Sequence, residues 1–184
     1  MKLFLLIVIL VLATMDSVQA FEFELGVYSV QAKLDFFDTI QPSIELVDNR
    51  EDTDIYPEDG SEIRYVEDSV RLQSSDYRAK ITVRVYDRLV SPDKEDMAMQ
   101  AINMLSEIGC DKGILMEETI AGHPGIIMYP EEGLHENKFV AITWLVDANG
   151  KADTNVAIVS EYPWGSGSDG TTQILVKSIN FERH

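Results

Sequence analysis

The chain has little of the equipment on which cross-linking and covalent catalysis depend. Its one cysteine, Cys110, excludes an internal disulfide framework and reads as a free, inert thiol near a helix end. Three histidines, one of them the terminal His184, leave few candidates for a nucleophile, base and orienting group. No G-x-S-x-G elbow is present either. Basic residues are scarce: Lys and Arg number 15 against 32 Asp and Glu, a formal net charge of −17. Such a surface repels phosphate backbones and anionic headgroups, so nucleic acid and membrane surfaces are not expected partners. In so acidic a chain, the abundance of paired carboxylates says little about acid–base chemistry.

Long apolar runs are also missing, apart from Leu3–Ala13 behind Lys2. That run is well short of the roughly 20 residues of a membrane span. Val18 and Ala20 stand at the minus-three and minus-one positions of a small-residue cleavage site, so residues 1–20 are expected to be a secretory signal peptide. An uncleaved N-terminal anchor is the alternative, and no stable membrane span is expected after cleavage. The chain is then extracytoplasmic, secreted or at the cell surface, and residues 21–184 fit a single domain.

Within it, residues 21–77 are expected to supply N-terminal strands and an acidic loop. "FEFEL" and "VYSVQAKLDFF" alternate apolar and polar side chains, and Ser43–Val47 continues them after Pro42. The acidic density peaks over residues 45–68, which reads as a solvated loop or an adaptation of the surface to salt. Calcium is the competing explanation, with Asp52 and Asp54 as the carboxylates to test, although EF-hand spacing is absent. From Glu62 the pattern sharpens into a hairpin through Ser74-Ser75-Asp76, with Ile81, Val83 and Val85 on one face and Thr82, Arg84 and Tyr86 on a wet one.

The clearest helix follows: Ser91 as N-cap, Pro92 at the first position, Met97, Ala101, Met104, Leu105 and Ile108 at helical spacing, and Gly109 as the stop. Met97, Met99 and Met104 read as core filling. "HPG" has the residues of a type II turn, between "ILMEETIAG" and "GIIMYP". "FVAITWLV" is apolar on both alternating sets, a strand covered on both faces. "TTQILVKSI" reads as a short closing helix with Ile174, Leu175 and Ile179 inward.

Two clusters invite a site. Gly165, Gly167 and Gly170 spell G-x-G-x-x-G, but the 14 residues beyond Gly170 leave no room for the second strand and acidic residue of a dinucleotide unit. They read as a flexible connection, and no cofactor is expected. His123, Glu131, Glu132 and His135 suggest a zinc ligand set. A strand over "GIIMY" would hold the two histidines roughly 17 Å apart, so Glu132 and His135 remain the pair that could join a metal with distant residues. Trp164, beside the glycines, is a candidate anchor for a partner.

The second half, about residues 78–180, resembles the PsbP-like superfamily, which includes photosystem II extrinsic PsbP and DcrB-like envelope proteins. The resemblance rests on "SPDKEDMAMQAINML", "ETIAGHPGIIMY", "FVAITWLVDANG" and "VSEYPWGSGSDGTTQILVKSI". It implies a PsbP-like core over 78–184 and an α+β fold: an antiparallel β-sheet covered by helices on both faces, an α/β/α sandwich. It also implies action by binding, without catalysis. The expectation is an exported non-enzymatic binding or accessory domain of the prokaryotic cell envelope, whose partner is an unknown protein or small ligand. The alternatives are a metal-dependent hydrolase built on Glu132 and His135, and a calcium-stabilised acidic surface protein.

Overall fold

A computed structural model describes residues 18–35, 43–55, 60–73, 78–131, 138–160 and 175–184. Residues 1–17 of the expected signal peptide 1–20, Trp164, the glycine run 165–170, Glu132 and His135 lie outside the described residues. In chain order the elements are β1 (Val18–Leu25), β2 (Tyr28–Asp35), β3 (Ser43–Ile55), β4 (Glu62–Gln73), β5 (Arg78–Val90), α1 (Lys94–Glu107), β6 (Gly113–Ile120), β7 (His123–Pro130), β8 (Phe139–Trp144), β9 (Ala152–Ser160) and β10 (Asn180–Arg183). Strands β3-β4-β5-β9-β8-β7-β6 form one antiparallel sheet, and β1-β2-β10 form a second.

This architecture corrects the α/β/α sandwich. Among the described residues the one long helix, α1, lies on one face of the large sheet, against β7 and β8. The other face is covered by the three-stranded sheet and by the helical turn at 175–178. Facing that small sheet, Val70, Ile81, Val83, Val156 and Ile158 pack against Leu25, Val30, Leu175 and Ile179. Each such aliphatic side chain, once fully buried, contributes about 1.5–3 kcal/mol. Two polar links tie the layers across this core: Tyr28 Oη to Thr154 Oγ1 at 2.6 Å, and Arg183 Nη1 to Asp153 Oδ2 at 2.6 Å.

The expected cleavage point after Ala20 falls inside β1. The residues beyond it, Phe23 and Leu25, are the ones that reach the core. The acidic stretch expected to be a loop is paired instead, as the outer hairpin β3–β4, with Asp48 opposite Ser69 and Asp54 opposite Ile63.

Helix α1 begins two residues later than its sequence suggests. Asp93 is the N-cap and accepts from the Glu95 N–H, while Ser91 is turned to the Lys151 ammonium. Its end is as expected: Gly109 takes φ +82°, its N–H reaches Ser106 O at 2.9 Å, and Cys110 N–H reaches Leu105 O at 3.1 Å. That is a Schellman stop, which satisfies the last carbonyls. Met97, Ala101 and Leu105 are buried, whereas Met99 is 59% exposed and so is not core filling.

The tight turn of the β6–β7 hairpin is Ala121-Gly122, both at positive φ, with Ile120 opposite His123. This type I′ geometry suits the strand twist better than the type II turn read at "HPG", and it places Pro124 and Gly125 inside β7. Gly125 has a packing reason to be there. A Cβ at that position would stand 2.6 Å from Ile142 O and 2.8 Å from Ile120 Cδ1. Gly125→Ala should therefore overpack the β7–β8 pair and cost about 1–3 kcal/mol, measured as a lower urea midpoint at unchanged slope.

Candidate functional site

Because side chains alternate along a strand, β4 and β5 bring matched rungs to the face that carries α1. In order these are Arg71 with Lys80, Ser69 with Thr82, Glu67 with Arg84, and Tyr65 with Tyr86. Helix α1 rests mainly on β7 and β8, and of these rungs Tyr65, Glu67, Ser69, Thr82 and Tyr86 are buried while Arg71, Lys80 and Arg84 are half-buried. The result is a groove of about 570 Å³, within the roughly 300–1,000 Å³ typical of small-ligand sites. Its floor includes Ile63, Glu67, Lys80, Thr82, Arg84 and Tyr86. Met99, Gln100, Asn103, Met104 and Glu107 of α1 form one wall, and Asp54, Asp93, Asp96 and Trp144 close one end.

A buried carboxylate organises the centre. Glu67 is 3% exposed and accepts from Arg84 Nε at 2.7 Å, while Arg50 Nε of β3 stands 3.4 Å from its other oxygen. Arg84 also lies 5.2 Å from the centre of the Tyr65 ring. Burial opposes the charge on Arg84, but the hydrogen bond and negative charge of Glu67 outweigh it and lift its pKa above the usual guanidinium value. Beside this rung, Gln100 of α1 donates to Asn155 Oδ1 at 2.9 Å and fastens the helix to β9.

The aromatic end is dry beneath and charged above. Tyr86 stacks on Trp144, with ring centres 5.1 Å apart and planes 27° apart, and lies 5.3 Å from Tyr65. Ile63 and Val90 complete this cluster. The β5–β9 pairing shifts register between Val85 and Val90, which turns the end of β5 and opens the space that Trp144 fills. Burial, reinforced by Asp54 and Tyr65 and opposed by Arg84, pushes the Tyr86 hydroxyl up to about 12. Burial also raises the Asp96 carboxyl, and the nearby charges of Asp93 and Asp54 raise it further.

Of the residues singled out in the sequence, His123 is half-buried at the start of β7, and burial lowers its pKa. Glu131 follows the other end of that strand, eight residues or about 26 Å away, so the two do not meet. Among the described residues, no group of His, Cys, Asp and Glu is arranged to hold a metal ion. Asp52 and Asp54 are exposed on the outermost strand, opposite Tyr65 and Ile63. Cys110 is buried under the end of α1, where burial raises its thiol pKa despite Lys138. Arg84, Glu67, Lys80 and Trp144 were not singled out as site residues. For Glu67, Lys80 and Arg84 the one sequence signal is the polar alternation of β4 and β5, which reads as a wet face and not as a groove, while Trp144 sits at the end of the doubly apolar β8.

Comparison with protein families, with curated proteins and with solved structures finds no match to this chain. Among the described residues no helix is long and apolar enough to cross a membrane.

Two outcomes test this electrostatic frame. Glu67→Ala leaves Arg84 and Arg50 without their shared anion and should cost about 3–5 kcal/mol, whereas Glu67→Leu combined with Arg84→Met should recover most of the loss in urea titrations. Tyr86 binds its proton more tightly folded than unfolded, where its pKa is 10.0. Its contribution to stability is therefore complete below pH 10 and declines as pH rises towards 12. Thermal melts should fall over that interval by more in the native chain than in Tyr86→Phe.

Proposed function

We propose that the chain is an exported, non-enzymatic binding or accessory domain of a prokaryotic cell envelope, and that the groove between α1 and β3–β5 is its ligand seat. The leader pattern of residues 1–20 supports export. The carrying observation for binding is the groove beside α1, where a concave surface collects charged, hydroxyl and aromatic side chains in register. A face that only awaited another apolar layer would be apolar. Burying Glu67, Arg84 and Lys80 under hydrocarbon would cost several kcal/mol per unpaired charge, so this floor suits water or a polar ligand.

The groove reading is favoured over the hydrolase because its geometry stands within the described residues. It replaces Trp164 as the residue set on which partner binding rests. The PsbP-like resemblance suggests the same class of action but does not carry it, since the sandwich it implied is absent.

Asn103 is exposed on the α1 wall, so Asn103→Trp should fill the groove without touching the core. The full chain and this variant are each equilibrated with envelope extract, re-isolated under native conditions, and their retained small molecules identified by mass spectrometry. The expected outcome is a set of compounds held by the native chain and missing from the variant. Equal retention by both, or none by either, overturns the proposal.

A further inference from the structure

We infer that the chain pairs with a second copy of itself, β6 against β6 in antiparallel register about Leu115, so that two large sheets become one. In the strand order β6 is the edge opposite β3. Exposed acids stand along β3, whereas β6 carries Ile114 and Met116, each 55% exposed. It runs eight residues with no proline and no register shift against β7. Edge strands are usually blunted by such devices, because open backbone groups are a template for pairing.

Backbone, side chains and charge agree on one register. Glu131 N–H donates to Lys112 O at 3.1 Å, and Ile120 faces His123 across the two-residue turn. The even-numbered residues of β6 therefore turn their backbone groups to β7, and alternation turns those of Gly113, Leu115, Glu117 and Thr119 to the open edge. The Thr119 N–H is met there by the Glu118 carboxylate at 3.0 Å, which holds that side chain at the edge. A two-fold axis beside Leu115 sets Leu115 against its own copy and Gly113 against Glu117, each a hydrogen-bonded pair of an antiparallel ladder.

On the face away from α1, the same register sets Ile114 of each copy against Met116 of the other and removes both from water. Leu115, which packs with the α1 cluster, meets Leu115 on the opposite face. Exposed Lys112 has Glu131 of its own chain on one side and gains Glu118 of the second copy on the other. Within its own chain Glu118 faces only Gly125. Glu117 is already paired with Lys94, and Asp111 comes opposite Thr119, so no two acids stand directly opposite. Neighbouring registers lose this agreement. An axis at Met116 sets Ile114 against Glu118, and one at Ile114 sets Met116 against Lys112.

The net charge of −17 repels two copies at a distance, but a Debye length of about 8 Å at physiological salt confines that repulsion to near neighbours. Two paired strands make a small contact, at the transient end of interface sizes, so the dimer is reversible and concentration-dependent. The groove on β4 and β5 lies towards the other end of the sheet and stays open. Because the axis stands perpendicular to the sheet, both grooves open to the same side.

Sedimentation equilibrium of the full chain at physiological salt, from about 1 μM to about 1 mM, should show twice the chain mass at the upper end. Met116→Lys sets a cation against Ile114 and should leave a monomer throughout, with circular dichroism unchanged. Lys112→Glu and Glu118→Lys should each weaken the dimer about tenfold or more, since each makes like charges meet at two symmetric places. Combining the two swaps restores opposite charges in this register alone and should recover most of the loss. The inference is overturned by a native chain that stays monomeric up to about 1 mM, by a dimer indifferent to Met116→Lys, or by a double swap no better than the single ones.

Discussion

Seven strands side by side span about 29 Å, since neighbours lie about 4.8 Å apart, whereas a helix with its side chains is about 10–12 Å across. The large sheet has seven strands and α1 is the one long helix among the described residues. It cannot cover the whole of its face. Where α1 lies, the floor is Val140, Ile142, Ile126, Met128 and Ala157. Beyond it, on β4 and β5, the same face changes to Glu67, Ser69, Thr82 and Arg84. The other face needs no such change, because the small sheet and the final helical turn continue the apolar layer. The groove is therefore the part of a wide sheet that lies beside its helix, floored by polar side chains that are largely buried.

That groove also explains how a cation-poor chain uses its few basic residues. Arg50, Lys80 and Arg84 line one concave surface, while the exposed acids extend along β3 and over the N-terminus of α1. The buried Glu67 pairing is not strong evidence of stability in itself, because desolvating both partners offsets most of their attraction. What it does is fix Arg84 over the Tyr65 ring and hold β3, β4 and β5 in one register.

Elements with a strict period or a cap were legible in the sequence. Ile81, Val83 and Val85 revealed β5 and its apolar face, and Gly109 marked the end of α1 to the residue. The acidic second half of β3 was not. An edge strand with one wet face and polar residues on both has no alternation to read, so Glu51, Asp52 and Asp54 resemble a loop until the pairing with β4 is seen. The "HPG" reading failed because Ala121 and Gly122 together meet the twist demanded of a two-residue turn. Helix on both faces failed because nothing in single-strand patterns says that β1 and β2 would peel away with β10 to cover one side. The groove was the least legible feature. Glu67 and Arg84 are 17 positions apart, and only the register of β4 on β5 makes them neighbours.

Strand β3 is the outer edge of the sheet and runs 13 residues with one side of its backbone unpaired within the sheet. A ladder that long is a template on which another copy of the chain could crystallise strand by strand. Glu51, Asp52 and Asp54 set like charge along that border, which repels a second copy and is screened by concentrated salt. The tolerance of this protein for crowding is therefore tied to dissolved ions at one margin of the fold, far from its apolar interior.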